Sequence, residues 1–501
     1  MLDMFSISAI NILIQLFILV VGIGVLALIV LYIIDVTQTE HTIRRNYPVI
    51  GRFRYFFEHL GEFFRQYFFA MDREELPFNR AERSWVYKAA KNVDRNIAFG
   101  STHNMNGVGS YLFMNSAFPT LDQEAAPPAD ITIGADCPTP YTTSSIINIS
   151  AMSYGALSKP AIIALSHGAK KAGCWLNTGE GGLSSFHLEG GADLIFQIGT
   201  AKYGVRDSEG KLSDDELKKT AAHEQIKMFE IKLSQGAKPG KGGILPGEKV
   251  SKEIAEIRNI KEGEPSISPN AHPEFKSAED ILDMVYRIKQ VTGKPVGIKF
   301  VLGEQSWVEE MFSLIHKKGL DYAPSFITLD SGDGGTGAAP QPLMDHVGIT
   351  IKESLPWLID ELIKSNLRKH IRVIASGKLI TPSQVAWALA TGADFINSAR
   401  GFMFSLGCIQ ALQCNKNTCP TGITTHDKKL QRGLVPQDKA ERVAHYHKSI
   451  TYGVGIIAHS CGVISPRKLQ RKHVRIVTEN GTSIPLDLIH PEPVKLIDNI
   501  S

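Results

Sequence analysis

Residues 326–337 read Phe-Ile-Thr-Leu-Asp-Ser-Gly-Asp-Gly-Gly-Thr-Gly, residues 371–378 read Ile-Arg-Val-Ile-Ala-Ser-Gly-Lys, and residues 394–401 read Asp-Phe-Ile-Asn-Ser-Ala-Arg-Gly. Each is a short β-branched run that breaks into glycine and small polar residues, the signature of a buried strand running into a tight turn. The same pattern recurs upstream at Ile146–Ser150, Cys174–Thr178, Asp193–Ile198, Phe229–Leu233 and Val296–Val301. Helical periodicity fills the intervals at 158–172, 278–292, 305–318, 352–366 and 381–391. Ser277 with Asp280 makes a capping-box start, and Thr381-Pro382-Ser383 places a cap before a first-turn proline. Eight strands alternating with helices predict a (β/α)8 TIM barrel; a doubly wound open sheet is the alternative. Residues 200–228 read as an insertion of mixed charge.

The strand ends locate the chemistry, because a parallel barrel carries its site at the C-terminal ends of its strands. Ala151-Met152-Ser153 follows the first strand, Gly179-Glu180-Gly181-Gly182 the second and Gln235-Gly-Ala-Lys238-Pro-Gly the fourth. Glycines at successive strand ends let backbone N–H groups approach phosphate oxygens. With Lys378 and Arg400 beside them, they point to a phosphorylated cofactor or substrate. Lys299, inside a strand, needs an anionic or electron-rich partner; a salt bridge to Glu180 or Asp333 is the plainer explanation.

Cys408, Cys414 and Cys419 are spaced C-x5-C-x4-C and precede Pro420, so half of the six cysteines fall within twelve residues. Three thiolates suit a three-iron cluster better than zinc, whose ligands come as closely spaced pairs. Cys461 is a possible fourth ligand, and reduced buried thiols are the alternative. Cys137 and Cys174 read as structural.

Ahead of the barrel, Leu16–Ile34 is unbroken apolar sequence, and extending it back to Ile12 adds only Gln15. That length spans a bilayer. No Lys or Arg precedes it, and no small-residue cleavage site follows, unlike a signal peptide. Arg44, Arg45, Arg52 and Arg54 follow, so residues 36–501 are expected in the cytoplasm. Residues 53–69 hold nine Phe or Tyr and read either as an interfacial amphipathic helix or as a docking helix. The expected organisation is a transmembrane helix at 10–34, an aromatic-rich linker and cap at 36–130, the barrel at 131–430 and a helical extension at 431–501. A chain that is 43% hydrophobic and 21% charged buries a core, and a net charge of +3 gives no case for nucleic-acid binding.

These motifs resemble the FMN-binding domain of glutamate synthases. The resemblance rests on Ile149-Ser-Ala-Met-Ser-Tyr-Gly-Ala-Leu-Ser158, Asn177-Thr-Gly-Glu-Gly-Gly182, Gln235-Gly-Ala-Lys-Pro-Gly240, Leu245-Pro-Gly247, Asp333-Gly-Gly-Thr-Gly-Ala338 and the Cys408–Pro420 segment, and it covers roughly 130–430. It implies FMN at the barrel mouth and a 3Fe-4S cluster beside it. The implied reaction is reduction of 2-iminoglutarate, from 2-oxoglutarate and ammonia, to L-glutamate. By position, Lys238, Arg258 and Ser153 would bind substrate, and Glu180, Lys238 and Lys299 would serve catalysis. Ala151, Met152, Ser153, Asn177 and Lys299 would lie near the flavin ring. Ser331, Gly332, Asp333, Gly334, Gly335, Thr336 and Gly337, with Ser376, Gly377 and Lys378 and with Ser398, Ala399 and Arg400, would hold ribityl and phosphate. Cys408, Cys414 and Cys419 would ligate iron.

The sequence also departs from that family. It starts Met1-Leu2 where the family has a glutaminase domain with an N-terminal cysteine, and the C-terminal β-helix is missing, so ammonia is expected from elsewhere. Lys241-Gly-Gly-Ile244 stands where Glu-Gly-Gly-Gln is usual, and Ser398-Ala-Arg400 replaces a Gly-Thr pair. Another amine or 2-oxo acid, as in N-methylglutamate synthase, is therefore an alternative, as is an electron-transfer subunit of a membrane complex. A non-redox sugar-phosphate barrel is disfavoured by the cysteines. With no ferredoxin-like cysteine run, a separate ferredoxin or reductase is the expected electron donor.

Overall fold

The computed structural model describes residues 2–93 and 96–493. The chain divides into two units, Met1–Ala81 and Glu82–Ser501.

In the larger unit the strands are Ile147–Ile149 (β1), Leu176–Asn177 (β2), Leu194–Ile198 (β3), Ile226–Lys232 (β4), Val296–Val301 (β5), Phe326–Asp330 (β6), Arg372–Ser376 (β7) and Phe395–Ser398 (β8). They close in sequence order into a parallel barrel, with β8 pairing to β1 and β4 to β5. The barrel expectation holds and the open sheet is excluded. Helices Lys159–Ala172, Ala278–Thr292, Ser306–Lys318, Ile351–Lys364 and Pro382–Thr391 occupy the expected intervals. The Ser277–Asp280 capping box forms, and at Thr381 the Gln384 side chain turns back to accept from Thr381 N at 3.0 Å, with Pro382 just inside the helix. Residues 200–228 are not a free insertion. The helix Asp214–Ala221 makes the β3–β4 crossover, and β4 starts at Ile226 rather than at Phe229. Lys227 disguises that start; its ammonium reaches Asp193 at 3.7 Å while its neighbours face the core.

The barrel's lower end is plugged by a hairpin, Ile131–Ile133 with Tyr141–Thr143. Ile133 and Tyr141 join Trp175, Ile195, Met228, Phe326, Ile374 and Phe395 in one buried cluster. A polar layer also crosses the interior. Glu230 accepts from Asn177 Nδ2 at 2.8 Å, Gln197 Nε2 at 2.7 Å and Thr328 Oγ1 at 2.6 Å. A fully buried carboxylate is tolerable only with its lone pairs filled in this way.

Residues 431–493 contain one long helix, Pro436–Ser460, which packs on Lys159–Ala172. The crossing is close: a Cβ on Gly168 would stand 2.5 Å from Val443. Strands follow at Val474–Val477 and Ser483–Pro485, and the first pairs with Tyr111–Phe113 from the segment ahead of the barrel. The stretch expected to be helical therefore also supplies two strands of a small antiparallel sheet.

The smaller unit opens with the helix Leu2–Thr37, of which Ala9–Thr37 is long and apolar enough to cross a membrane. In its last turn, Asp35 bonds the Arg52 guanidinium at 2.7 Å and accepts from Val49 N at 2.9 Å, pinning the turn that follows. The next long helix, Gly51–Phe64, exposes Phe53, Phe56, Phe57 and Phe64 at helical spacing, and Tyr67 and Phe68 extend the stripe.

Candidate active site

The C-terminal strand ends open into two adjoining cavities that share Ala151, Gln235, Gly335, Ala399 and Arg400 as walls. They form one cleft with two lobes.

The smaller lobe lies over β5 to β8 and is lined by Lys299, Asp330, Ser376, Gly377, Lys378 and Ser398 among others. Its floor is close-packed backbone. Gly377 has φ +118°, and a Cβ there would fall 2.2 Å from Ser331 Cβ. Ser331 N–H donates to Ser376 O at 2.9 Å. The Ser331 hydroxyl donates to Asp333, whose other oxygen meets Lys378 Nζ at 2.9 Å. Burial would raise the Asp333 carboxyl, but Ser331 and Lys378 outweigh it and hold its pKa below the usual carboxylate value. Lys299 meets Asp330 at 3.4 Å, not the Glu180 or Asp333 that sequence alone suggests. Burial disfavours its ammonium, yet Asp330, with Glu230 and Glu180 behind it, raises its pKa overall. Asp330 also accepts from Gly236 N at 3.0 Å, which ties two strand-end loops together.

The larger lobe is lined by Met152, Ser153, Glu180, Lys238, Ile244 and Arg258, and it reaches Thr336 and Gly337 on one side and Cys414 on the other. Its charge is mostly positive. Arg258 donates to Ser266 Oγ at 3.1 Å and Tyr154 O at 3.2 Å, which leaves Nε buried with no partner among the described residues. Lys238 is buried too, and its pKa is lowered by burial and then by Lys232. Glu180 pairs with Lys232 at 2.8 Å, and its Oε2 is buried and unpartnered among the described residues. Burial would raise the Glu180 carboxyl; Lys232, Lys238 and Arg258 together hold its pKa down. It is wedged between two glycines, since a Cβ on Gly199 or Gly243 would stand 2.6 or 2.5 Å from it.

Five of the expected cofactor residues line neither lobe. Asn177 is turned to Glu230 and accepts from Gly179 N at 3.0 Å, so it shapes the turn that presents Glu180. Ser331, Gly332, Asp333 and Gly334 stand behind the wall as its support. Arg400 lines both lobes, and its guanidinium donates to Thr336 O and stands 3.9 Å from Cys414 Sγ. Lys232 and Lys249 lie outside the motifs, and Gln235 and Asp330 stand within them but take no role from the resemblance. Lys232 carries a signal equivalent to that of Lys299: a lysine inside an apolar strand.

Among the described residues, no three His, Cys, Asp or Glu side chains converge tightly enough to hold one metal ion. Cys408, Cys414 and Cys419 nonetheless share one electrostatic neighbourhood. Burial pushes the Cys408 thiol up to about 11 against the pull of Arg400. Burial also opposes ionisation of Cys419, but hydrogen bonding by Thr421 and Thr424 outweighs it and lowers the pKa. Cys461 ends the helix Pro436–Ser460 and lines neither lobe.

Residues 115–463 match the family described as the conserved region in glutamate synthase. That span takes in the barrel, both lobes and the cysteines. The chain is similar to the glutamate synthase large subunit-like protein YerD of Bacillus subtilis, at 42% identity over 92% of this chain and 94% of that one. It is also similar to the archaeal-type glutamate synthase [NADPH] of Thermotoga maritima, at 36% identity over 62% of this chain, and spans 60% of that relative's length. A glutamate synthase large subunit-like protein of Rhizobium meliloti is 28% identical over 63% of this chain and 71% of its own.

Proposed function

This chain belongs to the glutamate synthase family of oxidoreductases, and on that premise we propose that its barrel reduces 2-iminoglutarate, formed from 2-oxoglutarate and ammonia, to L-glutamate. The observation that carries the reading is the two-lobed cleft. One lobe is a bare-backbone cradle with lysines at its rim; the other is a buried cationic wall around one carboxylate.

The residues fit the groups this reaction needs. In the smaller lobe, Gly377 admits no side chain, and Lys299 and Lys378 supply positive charge, which suits the phosphate and polar ring edge of FMN. The three cysteines suit an iron–sulfur cluster, whose thiolates sit at separate corners and need not meet at one point as they would for a single ion. Arg400 beside Cys414 offsets part of a cluster's negative charge. When bound, FMN supplies hydride transfer and the cluster supplies single electrons, delivered from a separate ferredoxin or reductase.

The chain's own residues do the rest. Lys238 and Arg258 bind the two carboxylates of the substrate, Arg258 through the Nε–H left unpaired in the wall. Glu180, kept ionised by Lys232, offers Oε2 to the cationic iminium nitrogen. Ser153, on the wall of the larger lobe, adds a hydroxyl to the substrate side. Lys299, kept charged by Asp330, would hold the polar edge of the flavin ring in the smaller lobe.

A second reading keeps the redox core and changes the substrate to another amine or 2-oxo acid. Ile244 favours it, because an apolar side chain, 43% exposed, stands on the wall of the substrate lobe.

The apolar N-terminal helix is proposed as a single membrane anchor with the barrel on the cytoplasmic side, and the stripe Phe53–Phe68 as lying in the headgroup layer. Protease added to right-side-out vesicles should leave the barrel intact; digestion there would reverse the orientation.

The decisive experiment is the visible spectrum of anaerobic, detergent-purified protein before and after dithionite, then with 2-oxoglutarate and ammonium. Flavin bands over a broad iron–sulfur shoulder, bleached and then restored by both substrates, are expected. No restoration turns the reading toward another acceptor, and a colourless protein overturns it.

A further inference from the structure

Lys249 belongs to none of the groups used above, and its surroundings are unusual for a lysine. It ends the short 3-10 turn Gly247–Lys249, just after the Leu245-Pro246 wall of the substrate lobe. Its side chain is 2% exposed. The ammonium donates to Cys414 O at 2.8 Å and to Thr424 O at 2.6 Å. These carbonyls lie on either side of Cys419, so one side chain ties together both ends of the segment bearing two of the three cysteines. Among the described residues its ammonium meets no carboxylate; burial lowers its pKa, and the side chains that pull it back toward the charged form are Cys414 and Cys419. A buried cation normally keeps a counter-ion, since an unpaired charge in a low-dielectric interior is strongly disfavoured. Two carbonyl dipoles satisfy its hydrogen bonds but supply no net charge.

We propose that Lys249 is the built-in counter-cation of the iron–sulfur cluster, holding the Cys414–Thr424 segment in place and stabilising the cluster's reduced state. The inference rests on the cluster reading and adds to it. A cluster on thiolates is net anionic and becomes more so on taking an electron, and a fixed ammonium beside two of its ligands favours that step. Because the same turn continues from the substrate wall, Lys249 also joins that wall mechanically to the cysteine segment. Lys249 itself lines the larger lobe, but its ammonium is committed to the two carbonyls, so it acts here as a positioning residue.

The test is an EPR-monitored redox titration of anaerobically purified full-length protein, wild type against K249M, with iron and flavin measured per chain. Two results support the proposal: K249M retains iron with a cluster potential shifted to more negative values, or K249M loses iron while keeping a full complement of flavin. K249R, which keeps the charge, should lie closer to wild type. Wild-type iron content with an unchanged EPR signal and potential in K249M overturns the proposal. Should K249M fail to fold, K249Q, which keeps an N–H donor for the carbonyls, takes its place, and the same results support or overturn the proposal. Absence of iron from wild type would instead overturn the cluster reading itself.

Discussion

At the ends of β6, β7 and β8 the cleft wall is backbone and small side chains, whereas from Glu180 to Arg258 it is built of buried charge. The cradle selects by shape: Gly377 leaves no room, and the nearby carboxylate Asp333 is already paired with Lys378. The opposite wall selects by electrostatics: Lys232, Lys238 and Arg258 outnumber Glu180, and Arg258 keeps a donor in reserve. A constant cofactor needs the first kind of wall, and an anion that arrives and leaves needs the second. Behind the larger lobe stand two buried histidines: His187 Nε2 contacts Met152 O at 2.8 Å and His272 Nε2 contacts Lys232 O at 3.0 Å.

Those histidines give the largest predicted effect, because acid should break the contrast by releasing the wall of the larger lobe. Burial lowers His187, His272 and the barrel-floor His447 from 6.5 to about 4. Each is neutral when folded and takes up a proton more readily when unfolded. Their contribution is therefore complete above pH 6.5 and is lost as pH falls through about 4, at about 3 kcal/mol each. Thermal unfolding followed from pH 7 to pH 4 should show a steep loss of Tm with flavin release. A flat profile over that window would mean the histidines are protonated in the folded protein.

The next two predictions separate the walls. Gly377→Ala places a Cβ at positive φ against Ser331, at a cost of about 3 kcal/mol or more. It should empty the cradle of flavin while the substrate wall stays intact, read as flavin per chain and Tm. Arg258→Met should do the opposite: flavin content is kept and KM for the dicarboxylate rises about 100-fold, the worth of one or two charge-assisted hydrogen bonds. If Arg258→Met loses flavin as readily as Gly377→Ala does, the two lobes are one folding unit and the division fails.

What the sequence makes legible follows the same division. The strands and the cradle are visible because β-branched runs and glycine clusters are local signals, as at Val373–Gly377. Charge pairing is not, because it depends on register around the barrel. Lys299 lies opposite Thr328, which brings Asp330 within reach, while Glu180 is taken by Lys232 from two strands away. Lys249 is fixed by carbonyls 165 and 175 residues downstream, beyond the reach of any local pattern.

The smallest effect sharpens the comparison most. Ile244 follows Gly243, which packs on Glu180, and puts an apolar side chain on the wall of the larger lobe next to Leu245 and Pro246. In Ile244→Gln, an amide would face the anion proposed to sit on Lys238 and Arg258, adding one neutral hydrogen bond worth about 1 kcal/mol, or about 5- to 10-fold in kcat/KM. If the natural substrate is 2-iminoglutarate, the variant should gain on 2-oxoglutarate with ammonium or stay level, because a polar group of that acid finds a donor. If the natural substrate carries an alkyl group against Ile244, the variant should lose on that substrate, because the amide gives up an apolar contact and must desolvate. Comparing ammonium with methylamine in both proteins reads this directly. A gain for ammonium with a loss for methylamine would make Ile244 the residue that sets the amine, and equal changes for both would leave the amine to be chosen elsewhere in the lobe.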